Sequence, residues 1–107
     1  MQDGHAFEYA LHLLPPGRVG FRRWRWELWE GPLLLASGWR VTPRDAERAL
    51  RTAASRRAHE RIGVRALHPD RARAVDRFIP GRTVRLDCGS VACVLVPRGA
   101  DERSAAA

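Results

Sequence analysis

The residues of this chain best suited to recognition chemistry lie in the run Phe21-Arg22-Arg23-Trp24-Arg25-Trp26-Glu27-Leu28-Trp29-Glu30, where arginine alternates with aromatic rings. Guanidinium groups fork onto phosphates and guanine edges, and an exposed indole can stack a base. On an extended strand, alternate residues share a face. Arg23, Arg25 and Trp29 therefore fall on one side together with Phe21 and Glu27, and Trp24, Trp26 and Leu28 on the other. Arg40, at the end of the next run, is expected beside the first group. Arg23, Arg25, Trp29 and Arg40 are the candidate nucleic-acid-binding residues, with DNA or RNA as partner. The competing account is arginine–glutamate pairing across a solvated sheet, contributing ~0.2–1 kcal/mol per pair.

The other reactive side chains form no recognisable constellation. Cys88 and Cys93 have four residues between them and no second cysteine pair, which is not zinc spacing; buried free thiols are expected. His5, His12 and His59 stand without a nucleophile or carboxylate partner, and the acids show no pairing suited to acid–base work. The expectation is a non-enzymatic protein without metal or cofactor. Arg44, Arg48 and Arg51 share a helix face, with Arg56, Arg57 and Arg61 on its last turns. A solvated charged face, with cations favoured at the helix C-terminus, accounts for them.

Composition narrows the class. The chain has 107 residues, 45% of them hydrophobic, with a net charge of +7 and a pI near 11.3. That suits one folded core. A single α+β domain is expected over residues 1–97, with a disordered tail over 98–107 and fraying at the first five residues. No apolar run approaches the roughly 20 residues of a membrane span. The N-terminus carries no export pattern, so a cytoplasmic protein with reduced cysteines is expected. All nineteen basic residues are arginine. A GC-rich coding sequence explains that choice of residue, but the excess of charge needs its own account.

The elements that must position these groups follow from pattern. Residues 7–14 alternate, with Phe7, Tyr9, Leu11 and Leu13 on one face, and Pro15-Pro16-Gly17 ends the strand. Residues 21–30 form a second strand, Gly31-Pro32 a turn, and residues 33–40 a third strand closing an antiparallel meander. Thr42 caps a helix with Pro43 at its first position. The helix runs to Arg61, its apolar stripe Ala46, Ala49, Leu50, Ala53, Ala54 and Ala58 facing the large side chains of the sheet. Gly63 breaks the pattern. Residues 69–78 suit a short second helix with Ala72, Val75 and Phe78 inward. Residues 83–87 and 91–96 make a C-terminal hairpin about Cys88-Gly89-Ser90.

The run Trp24-Arg25-Trp26-Glu27-Leu28, the turn at Gly31, the strand Leu33-Leu34-Leu35-Ala36-Ser37-Gly38 and Thr42 leading into an alanine-rich helix together resemble the YegP-like family of small α+β domains. Tyr9 and Trp39 stand at the family's first-strand and third-strand aromatic positions. The resemblance covers residues 7–57 and implies a fold more than a function. Glu30-Gly31-Pro32 replaces the family's asparagine-glycine turn, and residues from His59 onward have no counterpart. The same half is similar to the three-stranded-sheet DNA-binding domains of plant ethylene-response factors and phage integrase arms, which implies a sheet face entering the major groove. Leu67-His68-Pro69-Asp70 resembles the histidine-proline-aspartate loop of J-domain cochaperones. Gly63 interrupts the preceding helix, however, and the strands do not suit an all-helical domain. Two functions are therefore expected to compete: a nucleic-acid-binding module using the Arg/Trp sheet face, or a homodimeric or partner-binding domain of YegP-like type with Trp29 and Trp39 as anchors.

Overall fold

The structure is a computed structural model that describes residues 5–18 and 20–99. Alternation dictates the first two strands. In β1 (His5–Leu13) Phe7 and Tyr9 are buried, and in β2 (Trp24–Glu30) Trp26 and Leu28 are. Their antiparallel register sets Tyr9 opposite Leu28 and Leu11 opposite Trp26, so the two apolar sets share one face. β3 (Leu33–Arg40) pairs with β2 and presents small residues to that face, Gly38 opposite Trp26 and Ala36 opposite Leu28. Between them Leu35 is an extra residue, since Leu28 pairs with Ala36 and Trp29 with Leu34.

Helix α1 (Pro43–Arg61) begins as its sequence demands. The Thr42 hydroxyl accepts from the Asp45 N–H at 3.1 Å and Pro43 opens the first turn. Gly63, at φ +73°, carries the chain away after the last turn. The buried line is Ala46, Leu50, Ala54, Ser55, Ala58 and His59; Ala49 and Ala53 are only half-buried. The helix is thus rolled slightly from the alanine stripe, and two polar side chains enter the core.

The segment after α1 departs from expectation. Residues 69–78 do not form a helix. Pro69–Arg71 makes one 3-10 turn, and Arg73–Ala74 becomes a short strand, β4, against β5 (Val84–Asp87). Ala72 is buried and Phe78 packs on the core as expected, but Val75 is 55% exposed. The cause is sheet pairing: the Val75 N–H donates to the Arg85 carbonyl at 2.8 Å, and Arg73 pairs with Asp87. Arg51 ties the turn to α1 by donating to the Ala72 carbonyl.

The C-terminal hairpin of β5 and β6 (Ala92–Pro97) joins the first sheet, because β6 runs parallel to β1. One mixed sheet of six strands results, in the order β3-β2-β1-β6-β5-β4. The α+β meander-and-helix architecture expected from the pattern is present, extended by the C-terminal strands. The helix covers one face of this sheet; among the described residues no helix covers the other. The described helix is not long and apolar enough to cross a membrane. Arg98, assigned to the tail from sequence, is placed: its N–H donates to the Tyr9 carbonyl at 2.7 Å. Of residues 1–5, where fraying is expected, His5 instead stands in β1 paired with Cys93, and residues 1–4, like residues 100–107 of the expected tail, lie outside the described residues.

Candidate nucleic-acid interface

Strand parity puts Arg25, Glu27 and Trp29 on the helix-free face, while Trp26 and Leu28 point at α1. The chemistry on that face is already engaged. Glu27 accepts from Arg25 Nε at 2.7 Å and from Trp29 Nε1 at 2.9 Å. Arg98 lies 3.8 Å over the Trp29 ring and donates to Glu8 and to the Gly31 carbonyl. Two arginines thus meet two glutamates, and Arg25 and Arg98 are neutralised where they stand. Burial raises the Glu27 pKa, but the hydrogen bonds from Arg25 and Trp29, with the charges of Arg25 and His12, outweigh it and hold the carboxyl below its ordinary value. The Trp29 face, needed to stack a base, is occupied by a guanidinium.

Arg23 lies at the rim of the same face, 5.9 Å over Trp39, whose ring meets Phe21 at 5.9 Å. Arg40 does not join it. Register sets Arg40 opposite Trp24, so its side chain belongs to the helix side of the sheet, and its Nη1 donates to the Trp39 carbonyl. The structure therefore gathers Arg23, Arg25 and Trp29 and separates Arg40 from them. The smallness of Gly38 and Ala36, opposite Trp26 and Leu28, was the sequence signal for this: it marks their face as the one under the helix, and Arg40 shares it.

Arg40 instead lines a groove of about 640 Å³ between β3 and α1, together with Arg48, Arg56 and Arg57. Helical spacing creates this wall, since residues three and four apart lie on one side. Two carboxylates, Asp45 and Glu60, also border it. Glu60 is taken by Arg57 at 3.3 Å, and Arg57 further donates to the Leu35 carbonyl at 3.0 Å. Arg40, Arg48 and Arg56 have no carboxylate partner among the described residues. Trp26 forms the floor, 7% exposed, with its indole against Gly38. The sequence pattern places these helix arginines on a solvated face; the edge strand β3 beside them turns that face into a wall, and no local signal in the helix announces it.

Among the described residues no cluster of histidine, cysteine and carboxylates could hold a metal ion. Comparison of the chain with protein-family models, with curated proteins and with solved structures finds no match.

Proposed function

We propose that this protein binds nucleic acid through the α1–β3 groove, using Arg40, Arg48 and Arg56, and not through the Arg/Trp sheet face. One observation carries the reading. On the sheet face Glu27 and Glu8 neutralise Arg25 and Arg98 and leave only Arg23 at the rim. The groove gathers Arg40 from β3 with Arg48 and Arg56 from α1, none of them in an ion pair among the described residues, against the one carboxylate of Asp45 that Arg57 does not take. Arg48 and Arg56 are eight residues apart, ~12 Å along a helix. That distance spans three to four phosphates of a duplex strand at ~3.4 Å each. Arginine suits the task, since its planar fork binds phosphate oxygens in pairs.

The test is probe binding across salt concentration. Three phosphate contacts give a log–log slope of about −3 on duplex DNA. Arg48→Glu with Arg56→Glu should weaken binding at least about tenfold while leaving the circular dichroism spectrum unchanged. Arg23→Glu should have a smaller effect. Unaltered binding by the double variant defeats the groove, and loss in Arg23→Glu alone returns the role to the sheet face.

A second reading rests on the edge of the sheet. β3 is an end strand, and Leu33, Leu34, Trp39 and Val41 at that edge are exposed, with Phe21 beside Trp39. An unpaired edge with apolar residues is a template for pairing with another chain. Dimers that persist in high salt and dissociate on Trp39→Ala would support it. Trp29 is not the anchor in this reading, because Arg98 covers it.

A further inference from the structure

A second cavity, about 510 Å³, lies where the end of α1 meets the β5–β6 turn, and Cys88 and His59 open onto it. The Cys88 N–H donates to the Val91 carbonyl at 3.0 Å, which leaves Gly89 and Ser90 as the loop of the hairpin. Gly89 has φ +89°, the conformation such a loop requires. Register pairs Leu86 with Cys93. Cys88, two residues beyond Leu86, shares its face and is the diagonal neighbour of Cys93. The diagonal placement sets the two side chains as neighbours on the core side of the sheet. They differ in access: Cys93 is 1% exposed, and Cys88 is half-buried at the cavity wall.

Beneath this pair sit Ser55 and His59, the buried polar side chains of the core among the described residues. The Ser55 hydroxyl lies 3.4 Å from His59 Nδ1. His59 Nδ1 lies 2.7 Å from the Ser55 carbonyl, which only accepts, so Nδ1 carries the proton. The lone pair of the neutral ring is then on Nε2, and His59 lines the cavity. The hydrogen bond from Cys93 lowers the Cys88 pKa, burial opposes it, the Ser55 hydroxyl lowers it further, and Asp87 raises it; the net direction is down. Cys93 is pushed up by donating to Cys88 and by burial. The proton stays on Cys93 and Cys88 ionises first. Arg65, Arg71 and Arg73 border the cavity against one carboxylate, Asp87, and that excess of positive charge favours anionic species there.

We propose that Cys88 and Cys93 form a redox-active dithiol, with Cys88 the thiol that reacts with hydroperoxides and Cys93 the one that resolves it. The Cys88 thiolate attacks the terminal oxygen of the hydroperoxide. The O–O bond breaks, Cys88 becomes the sulfenic acid, and the departing alkoxide takes a proton from solvent to leave as the alcohol. Cys93 then gives up its proton, its sulfur attacks that of Cys88, the S–O bond breaks, and hydroxide leaves to be protonated to water. Two electrons pass from the thiols to the peroxide. Diagonal neighbours have Cα atoms ~7–8 Å apart, just beyond the usual limit of ~6.8 Å for a bridge. Closure therefore draws in the Gly89-Ser90 loop and reshapes the cavity floor.

The experiment exposes the reduced protein to one equivalent of hydrogen peroxide, stops it with catalase, and reads free thiols and intact mass. The wild type should lose both thiols and two hydrogens while remaining a monomer. Cys93→Ser should accumulate a sulfenic acid on Cys88 that dimedone traps. Cys88→Ser should keep Cys93 reduced, its oxidation at least about tenfold slower. Ser55→Ala retains both cysteines and should slow the first step several-fold. Circular dichroism checks that each variant is folded, and the wild-type and Ser55→Ala results stand without the cysteine variants. Survival of both thiols in the folded wild type overturns the proposal. So does oxidation of Cys93 in Cys88→Ser at the wild-type rate, or a disulfide formed only between two molecules.

Discussion

Replacing Gly38 with alanine tests the packing on which the fold and the groove both depend. Gly38 does not have a positive φ, so its backbone accommodates any residue. The obstacle is Trp26. A Cβ at position 38 would lie 2.9 Å from its Nε1 and 3.2 Å from both Cε2 and Cζ2. Carbon atoms in comfortable contact are ~3.5–4.0 Å apart. Three atoms of one rigid ring would have to move together, and that ring is 93% buried between α1 and β3. Overpacking of this kind costs ~1–3 kcal/mol. Removing the flexibility of glycine from the unfolded chain returns ~0.5–1 kcal/mol. The net expectation is destabilisation by ~1–2 kcal/mol. With a urea dependence of about 1 kcal/mol per M, the unfolding midpoint should fall by ~1–2 M.

Circular dichroism is the right probe, since the fluorescence of Trp26 itself would change. A double-mutant cycle with Trp26→Phe then isolates the contact. Trp26 Nε1 is buried without an acceptor, a state that costs ~1–3 kcal/mol. Trp26→Phe removes that burden along with ring area, so its own cost should be small for a core aromatic. In the phenylalanine background Gly38→Ala should cost ~1 kcal/mol less than in the wild type. A midpoint that stays or rises in Gly38→Ala would refute the argument, as would two costs that simply add.

Tyr9 is 2% exposed, and its hydroxyl donates to the Arg82 carbonyl at 2.6 Å while accepting from the Gly81 N–H at 3.0 Å. Tyr9→Phe removes both bonds, whose partners belong to exposed residues, and should cost ~0.5–1.5 kcal/mol, with faster hydrogen exchange at the Gly81 amide as the local readout. Glu27 has a folded-state pKa below its unfolded value. It therefore contributes stability that is fully present above the ordinary carboxylate pKa of ~4.3 and is lost as pH falls through the lower folded value. Glu27→Gln should remove that part of the acid dependence, and unfolding midpoints compared at pH 7 and pH 3 should show the mutant penalty shrinking at the acid end.

Local chemistry made much of this fold legible. Alternation in β1 and β2 set which side of each strand is buried, because a half-buried strand cannot hide its period. Thr42, Pro43 and Gly63 marked the bounds of α1 through capping, fixed φ and a positive φ. Residues 69–78 misled for a physical reason. Their apolar spacing fits a helical turn, but β5 offered backbone hydrogen bonds to Arg73, Ala74 and Val75 that an isolated short helix cannot match. The pairing of β1 with β6 left no local trace. It joins residues about ninety positions apart, and the same pairing brings Arg98 to Glu8.

The candidate site was legible in amount and not in place. An excess of arginine is a property of composition, but which arginines stay uncompensated depends on register. Arg25 and Arg98 are neutralised because β1 and β2 carry Glu8 and Glu27 to the same face and the chain end folds over Trp29. Arg40, Arg48 and Arg56 stay out of ion pairs because the strand beside them offers small residues, Gly38 and Ala36, while of the two carboxylates bordering the groove Glu60 is taken by Arg57 and Asp45 pairs with none of the three. Those small residues are required there by the bulk of Trp26. The indole that fills the core thus also keeps the β3 side of the groove free of acidic residues.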